Sequence, residues 1–171
     1  MVYSLHDFQV KAVFFNEDGN IPNNPTLPML YYPMVLDEDD SIMEIFERNN
    51  WRNSWTGSVL PYHHYHSNSH EVLGVQKGTA AIMFGGEHGE EMHVKRGDVV
   101  ILPAGCGHKK LKASTDFEVV GAYPDGKDYD MKTQKDPVSQ EVWNNIKDVK
   151  LPKADPVFGK DGPLIERWHQ D

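Results

Sequence analysis

The sequence predicts a mainly β domain, a sandwich or barrel with a helix on its N-terminal side and another on its C-terminal side. Three observations carry this. Short apolar or alternating runs recur between positions 71 and 123 at intervals of roughly 8–12 residues, the spacing of packed antiparallel sheets rather than of βαβ units. Gly, Pro and Asp turns separate the runs. Helical periodicity is confined to two flanking segments, 41–46 and 136–146.

In chain order, Ser41-Ile42-Met43-Glu44 has the spacing of a capping box, in which hydroxyl and carboxylate satisfy the free N–H groups of a helix start. Ile42, Ile45 and Phe46 give that helix an apolar side. Glu71–Gln76 and Thr79–Phe84 read as strands, Gly85-Gly86-Glu87-His88-Gly89 as a hairpin connection, and Glu90–Lys95 as the return strand. Arg96-Gly97-Asp98 makes the next turn, Val99–Leu102 the next strand, and Pro103-Ala104-Gly105 breaks it. Asp116–Tyr123, with Phe117, Val119 and Val120, reads as a further strand. Asp136-Pro137 reads as an N-cap followed by proline at the first helical position, and Val138, Val142 and Ile146 then share a face. Leu151–Pro163, rich in Pro, Gly, Asp and Lys, reads as an ordered tail against the barrel. The whole of 1–171 is expected to be one domain: a barrel core at about 51–124, an N-terminal extension 1–50, and a C-terminal helix and tail 125–171.

Composition removes several function classes. The 171 residues carry 17 Lys+Arg against 26 Asp+Glu, a formal charge of −9, which opposes binding to phosphate backbones. With 39% apolar residues, 4 Trp, 7 Tyr and 7 Phe, the chain has the side chains to fill a core, and its length lets it bury roughly 70% of its unfolded surface. The single cysteine, Cys106, excludes an intramolecular disulfide and a Cys-rich zinc module. The first seven residues, Met1 to Asp7, hold no basic segment or apolar run of signal-peptide length, and no stretch reaches the roughly 18 apolar residues of a membrane span. The expectation is a cytoplasmic protein that binds neither nucleic acid nor membrane.

Against this background the histidines stand out. Seven of the nine (His63, His64, His66, His70, His88, His93 and His108) lie between positions 63 and 108. In a strand, alternate side chains share a face, so His64 and His66 project together while His63 and Tyr65 point the other way. Ser67-Asn68-Ser69 is turn-forming, so the chain can redirect and bring Glu71 back toward the pair. His108, after the Pro103–Gly107 turn, can supply a third imidazole. Three neutral imidazoles and one carboxylate suit a divalent first-row metal.

The run His64-x-His66-x4-Glu71-x6-Gly78 resembles the first cupin motif, and Gly97-x5-Pro103-x-Gly105-x2-His108 resembles the second. Beyond the motifs, residues 14–25, Trp51-Arg52-Asn53-Ser54-Trp55 and residues 155–163 are similar to the YjlB-type stand-alone cupins, which extends the likeness over most of the chain. Lys112 stands where the second motif often has Asn, and Ser58 where a Gly often precedes the first His; neither is a ligand position. The resemblance implies a double-stranded β-helix, or jelly roll, holding one divalent first-row metal (Fe, Mn, Ni, Zn, Cu or Co) on His64, His66, Glu71 and His108. It implies a mononuclear metalloenzyme acting on a small molecule, of dioxygenase, isomerase or decarboxylase type, with Glu71 able to shuttle a proton. The alternative is a non-catalytic metal-cupin that binds or senses a small metabolite. A homodimer is likewise implied by the resemblance alone.

The remaining candidates have two readings each. Trp51, Trp55 and Tyr62 are either substrate contacts at the cavity wall, with Arg52 available to pair with a carboxylate, or plain core. His70, next to Glu71, is expected to face away from the metal, and Ser67 after His66 excludes a His-Glu-x-x-His metalloprotease helix. His63 and Tyr65 are expected in packing or a subunit contact, His88 and His93 in solvent, and Cys106 as a loop filler. The facing of Met83, Phe84 and Tyr123 is not fixed by pattern.

Overall fold

The strands of this chain are buried on one or both faces according to which of two sheets they join. The computed structural model describes residues 9–169, so the N-terminal heptapeptide read above lies outside the described residues. A six-stranded antiparallel sheet is built from β1 (Lys11–Val13), β2 (Met29–Tyr32), β8 (Val99–Leu102), β5 (Glu71–Lys77), β10 (Glu118–Pro124) and β3 (Trp51–Gly57), in that spatial order. Facing it is a five-stranded antiparallel sheet, in the order β11 (Lys132–Thr133), β4 (His64–Tyr65), β9 (His108–Ala113), β6 (Thr79–Phe84) and β7 (Glu90–Lys95). Three short helices complete the chain: α1 (Ile42–Arg48), α2 (Gln140–Asp148) and α3 (Pro163–Trp168). The architecture is the mainly β jelly roll expected from the sequence.

The six-stranded sheet is covered on both sides, which is why its strands read as continuous apolar runs. In β5, Leu73 and Val75 enter the core between the sheets, together with Val100, Leu102 and Val119. Val72, Val99, Ile101 and Val120 face the other way, into a layer closed by Ile42, Ile45, Phe46, Leu164 and Trp168. Gly74 lets α1 approach, since a Cβ there would lie 2.7 Å from Ile42 Cγ2 and 2.9 Å from Phe46 Cζ. Ser41 caps α1 by accepting from the Glu44 N–H at 3.4 Å.

The last part of this outer layer is the segment 151–163, which does wrap on the barrel. The buried Asp155 carboxylate ties it down: Oδ1 accepts from Val157 N at 2.8 Å and Phe158 N at 3.1 Å, and Oδ2 accepts from Leu164 N at 3.1 Å and from the Tyr32 hydroxyl. Trp51 Nε1 donates to Ala154 O at 2.9 Å and Trp168 Nε1 to Pro28 O at 2.8 Å.

Several boundaries differ from the expectation. The second helix starts at Gln140, capped by Ser139, and not at Pro137. Asp136 is spent elsewhere: its Oδ2 accepts from the Thr133 N–H at 2.8 Å and closes a turn. Strands β3 and β9 carry polar, part-exposed residues and lack the apolar alternation that marks the others. Strands β1, β2 and β11 come from outside the 51–124 core and extend both sheets. No helix among the described residues is long and apolar enough to cross a membrane.

Strand β3 also changes face part way along. Its register against β10 pairs Trp55 with Gly121 and Arg52 with Tyr123, so Asn53 and Ser54 together oppose the single Ala122. The bulge sits where Asn53 has a positive φ of 58°, a conformation Asn tolerates better than most residues. Without it Trp51 and Trp55 would share a face. With it, Trp51 packs in the outer helical layer and Trp55 against the core between the sheets.

Candidate metal centre

The centre lies between the sheets, where β4, β5 and β9 begin. Antiparallel pairing sets His64 opposite His108, and their ring centroids are 4.0 Å apart. Glu71 opens β5 on the same face as Leu73, so alternation turns its carboxylate inward. His66 directly follows β4, two residues after His64. Tyr65, between the two, is fully buried on the opposite side among Ile21, Val142 and Ile146. His66, Glu71 and His108 each offer a ligand atom within 4.8 Å of the others, and His64 stands beside them in the same cavity. All four side chains are buried.

The hydrogen bonds set the tautomers. His64 Nδ1 lies 2.9 Å from Tyr62 O, His66 Nδ1 2.6 Å from Asp130 O, and His108 Nδ1 3.1 Å from Cys106 O. A carbonyl oxygen only accepts, so each Nδ1 carries the hydrogen and each neutral ring presents a lone pair at Nε2. Such outer partners orient and polarise metal-bound histidines. The Nε2 atoms of His66 and His108 lie 3.3 and 3.2 Å from Glu71 Oε1, a buried oxygen that receives no hydrogen bond. Lone pairs thus converge on one point from three side chains. A proton on one ring relieves one contact; a divalent cation relieves them all.

The electrostatics agree. Burial, helped by the neighbouring His108, pushes His64 down to about 3. Burial would raise the Glu71 carboxyl, but His66 and His108 overcome it and hold the group well below the usual carboxylate range. Burial would likewise lower His66, and Glu71 outweighs it, so that imidazole is raised. The donor set of imidazoles and one carboxylate, with its stranded oxygen, fits a first-row divalent ion.

A cavity of about 200 Å3 opens over these groups. Trp55, Val59, Leu60, Leu73, Tyr129 and Met131 form apolar walls, and among the described residues no Lys or Arg lines it. Tyr123 donates to Glu71 Oε2 at 2.7 Å and accepts from Trp55 Nε1 at 2.8 Å. Its ring stacks on that of Tyr129, with centroids 4.1 Å apart and planes at 22°.

Of the expected wall residues, Trp55 is in place. Arg52 does not line the cavity: it pairs with Tyr123 near the end of the strand, is exposed, and its Nε donates to Asn50 Oδ1 at 3.2 Å. Tyr62 is 43% exposed; it meets His64 edge-on and contributes its carbonyl, and its ring does not line the cavity. Trp51 belongs to the outer layer. His70 faces away, accepting from the Ala104 N–H at 2.9 Å and packing on Trp168. His63 is buried, while His88 and His93 are exposed beside Asp18 and Glu91. Cys106 is a buried filler of the inter-sheet core.

The sequence reading missed what lies after residue 124. Asp130 accepts from Ser67 N at 2.7 Å and from the Ser67 hydroxyl, and its carbonyl orients His66. Asn23 and Asn24 anchor the loop before His108: Asn23 Oδ1 accepts from Gly107 N at 3.1 Å, and Asn24 Nδ2 donates to Ala104 O at 2.9 Å. In that loop Gly105 adopts φ +91°, and a Cβ there would lie 2.8 Å from Asn23 O. The only available sign was the Asn-Asn-Pro turn at 23–25.

Comparison with known proteins follows the same lines. The cupin domain pattern matches residues 55–120. The "Uncharacterized protein YjlB" of Bacillus subtilis (strain 168) is 49% identical over 160 residues, covering 94% of this chain and 97% of that protein. Among solved structures, an uncharacterised Klebsiella pneumoniae protein with a double-stranded β-helix domain is 15% identical, with a TM-score of 0.38 over 78% of this chain and 84% of that one. A salicylate 1,2-dioxygenase variant from Pseudoaminobacter salicylatoxidans is 14% identical, with a TM-score of 0.37 over 66% of this chain and only 25% of the dioxygenase. At such scores these structural likenesses say nothing about chemistry. The relative that matches nearly end to end, and the motifs that run through the site, decide the matter: the chain belongs to the cupin family, in the group that includes the Bacillus subtilis protein.

Proposed function

We propose that the cavity binds one divalent first-row ion on His64, His66, Glu71 and His108 and acts on a small molecule there, in a reaction of dioxygenase, isomerase or decarboxylase type. The observation that carries this reading is the stranded Glu71 Oε1, faced by imidazoles whose Nδ1 hydrogens are committed to backbone carbonyls. When bound, the ion supplies Lewis-acid or redox chemistry. The chain's own residues do the rest. Trp55, Leu60, Leu73, Tyr129 and Met131 keep water from the reacting face. Three neutral imidazoles and one carboxylate around a divalent ion leave a local charge of about +1, which balances one anionic oxygen of a substrate. With no Lys or Arg among the described lining residues, the site balances one negative charge and not two. A cavity of about 200 Å3 is below the roughly 300–1,000 Å3 of drug-sized ligands, so the partner is small.

One observation favours the second reading, a cupin that binds or senses a metabolite without turnover. The titratable lining side chains are the four proposed ligands and the two tyrosines, and the Tyr123 hydroxyl is already bonded to Glu71. Among the described residues no acid or base stands in the cavity apart from these groups, so the proton work of a reaction would fall on Glu71, itself a proposed ligand.

Elemental analysis of protein purified without chelator tests the metal. The expected result is close to one first-row ion per chain, lost in His64→Ala and Glu71→Ala. A folded wild type that takes up none of Fe, Mn, Ni, Zn, Cu or Co on titration refutes it. Turnover of a panel of enols and keto acids that disappears in His108→Ala separates enzyme from binder; saturable binding without turnover supports the binder.

A further inference from the structure

Glu71 is the one candidate ligand whose orientation is not set by a backbone carbonyl. Its two oxygens are used differently: Oε2 accepts from the Tyr123 hydroxyl at 2.7 Å, while Oε1 faces the imidazoles with no hydrogen bond. A carboxylate only accepts, so the phenolic hydrogen points to Glu71, and the phenol oxygen is held in place from one step further out. An indole N–H can only donate, so the Trp55 Nε1 contact at 2.8 Å makes the Tyr123 oxygen an acceptor there.

The rings that carry this relay are held by packing. Tyr123 stacks on Tyr129 and meets His66 edge-on at a centroid distance of 5.7 Å. Trp55 sits over Gly121, its register partner, where a Cβ would come within 2.3 Å of Cε2. The absence of a side chain at 121 makes room for the indole. The bulge at Asn53 brings Trp55 to this face in the first place.

We infer that Trp55 and Tyr123 form a positioning relay that holds Glu71 in one orientation and reserves its Oε1 for a metal ion. This rests on the proposed metal site and adds two positioning residues to it. Removing a group that orients a metal ligand typically costs about 10–100-fold in metal affinity.

The test is metal titration by calorimetry or competition with a chromophoric chelator, on the full chain, using Co(II), Mn(II) or Zn(II) as the probe. Tyr123→Phe is expected to bind about 10–100-fold more weakly than wild type. Trp55→Phe, which keeps the phenol and removes the donor that holds its oxygen, is expected to weaken binding severalfold. Tyr32→Phe is the control: it removes another buried tyrosine–carboxylate bond, to Asp155, away from the site. It should lower the unfolding midpoint of the metal-free protein and leave metal affinity at the wild-type value, which a purely structural role for Tyr123 would also predict of Tyr123→Phe. Wild-type affinity in a folded Tyr123→Phe overturns the inference. Should that variant not fold, wild-type affinity in folded Trp55→Phe overturns it. A wild type that binds metal while both variants bind it equally well removes the relay alone; a wild type that binds none removes the metal site as well.

Discussion

Asp155→Ala should be among the most destabilising single substitutions outside the candidate centre. The carboxylate is 0% exposed and accepts from four donors: three main-chain N–H groups at 157, 158 and 164, and the Tyr32 hydroxyl from β2. Hydrogen bonds to a charged group contribute about 1.5–3 kcal/mol each, so four set an upper bound near 6–12 kcal/mol. Water reaches the main-chain donors once the segment loosens, which brings the expected loss to about 3–5 kcal/mol, the range for breaking a buried charged network. Against a typical total of about 5–15 kcal/mol, that is a large share. Urea unfolding followed by tryptophan fluorescence reads it directly, because Trp51 and Trp168 both lie in the affected layer. With a slope of about 2 kcal/mol per molar, the midpoint should fall by roughly 2 M. Tyr32→Phe removes one donor and leaves three, so it should cost about 1.5 kcal/mol, and the double variant should cost less than the sum. An Asp155→Ala loss under about 1 kcal/mol, or a Tyr32→Phe loss as large as that of Asp155→Ala, would refute the reasoning.

Three further outcomes are expected. Gly121→Ala should displace the Trp55 indole, cost about 1–3 kcal/mol and change the near-UV circular dichroism; an unchanged spectrum with full stability would contradict the packing. Burial pushes the Cys106 thiol far above its ordinary range, so it should resist a disulfide exchange reagent at pH 8 in the native protein and react at once in urea, and rapid native reaction would be inconsistent with that burial. At high pH the sign follows from Tyr31 and Tyr32. Burial, with Asp98 beside one and Asp155 beside the other, raises both above the ordinary 10.0. The folded state then binds more protons than the unfolded one as pH rises past 10.0, so stability present below that value is lost above it. Spectrophotometric titration should find these two phenols ionising only with unfolding, and normal ionisation in the folded protein would show the pairing to be absent.

How much of this was legible in the sequence depended on the range of the interaction. His64, His66 and Glu71 could be read because strand parity and a three-residue turn determine where they point, and both are local. The hairpin at 85–89 and strands β6, β7 and β8 were legible for the same reason: glycines mark the turns, and apolar side chains mark the buried faces. Strands β3 and β9 were not, because their exposed faces carry Arg, Asn and Lys and their burial comes from partners distant in sequence. The contribution of Tyr129 and Asp130 crosses more than 60 residues to reach His66 and has no local signature. Arg52 was offered for its charge beside aromatic residues, and nothing in the local pattern shows that its side chain stays in solvent, bonded to Asn50.

That extra residue divides the work of one strand. Trp51 is coupled to the helical layer and the C-terminal wrap, while Trp55 borders the cavity, so substitutions four positions apart should fall into different phenotypic classes, the first affecting fold and the second affecting ligand. Deleting Asn53 would remove the bulge and leave the two tryptophans three apart in a regular strand, still on opposite faces, whereas closing the bulge at the present length would put them on one face. In a set of related chains, the number of residues between the two aromatics, read together with the presence of the bulge, is therefore the guide to whether the cavity wall is retained.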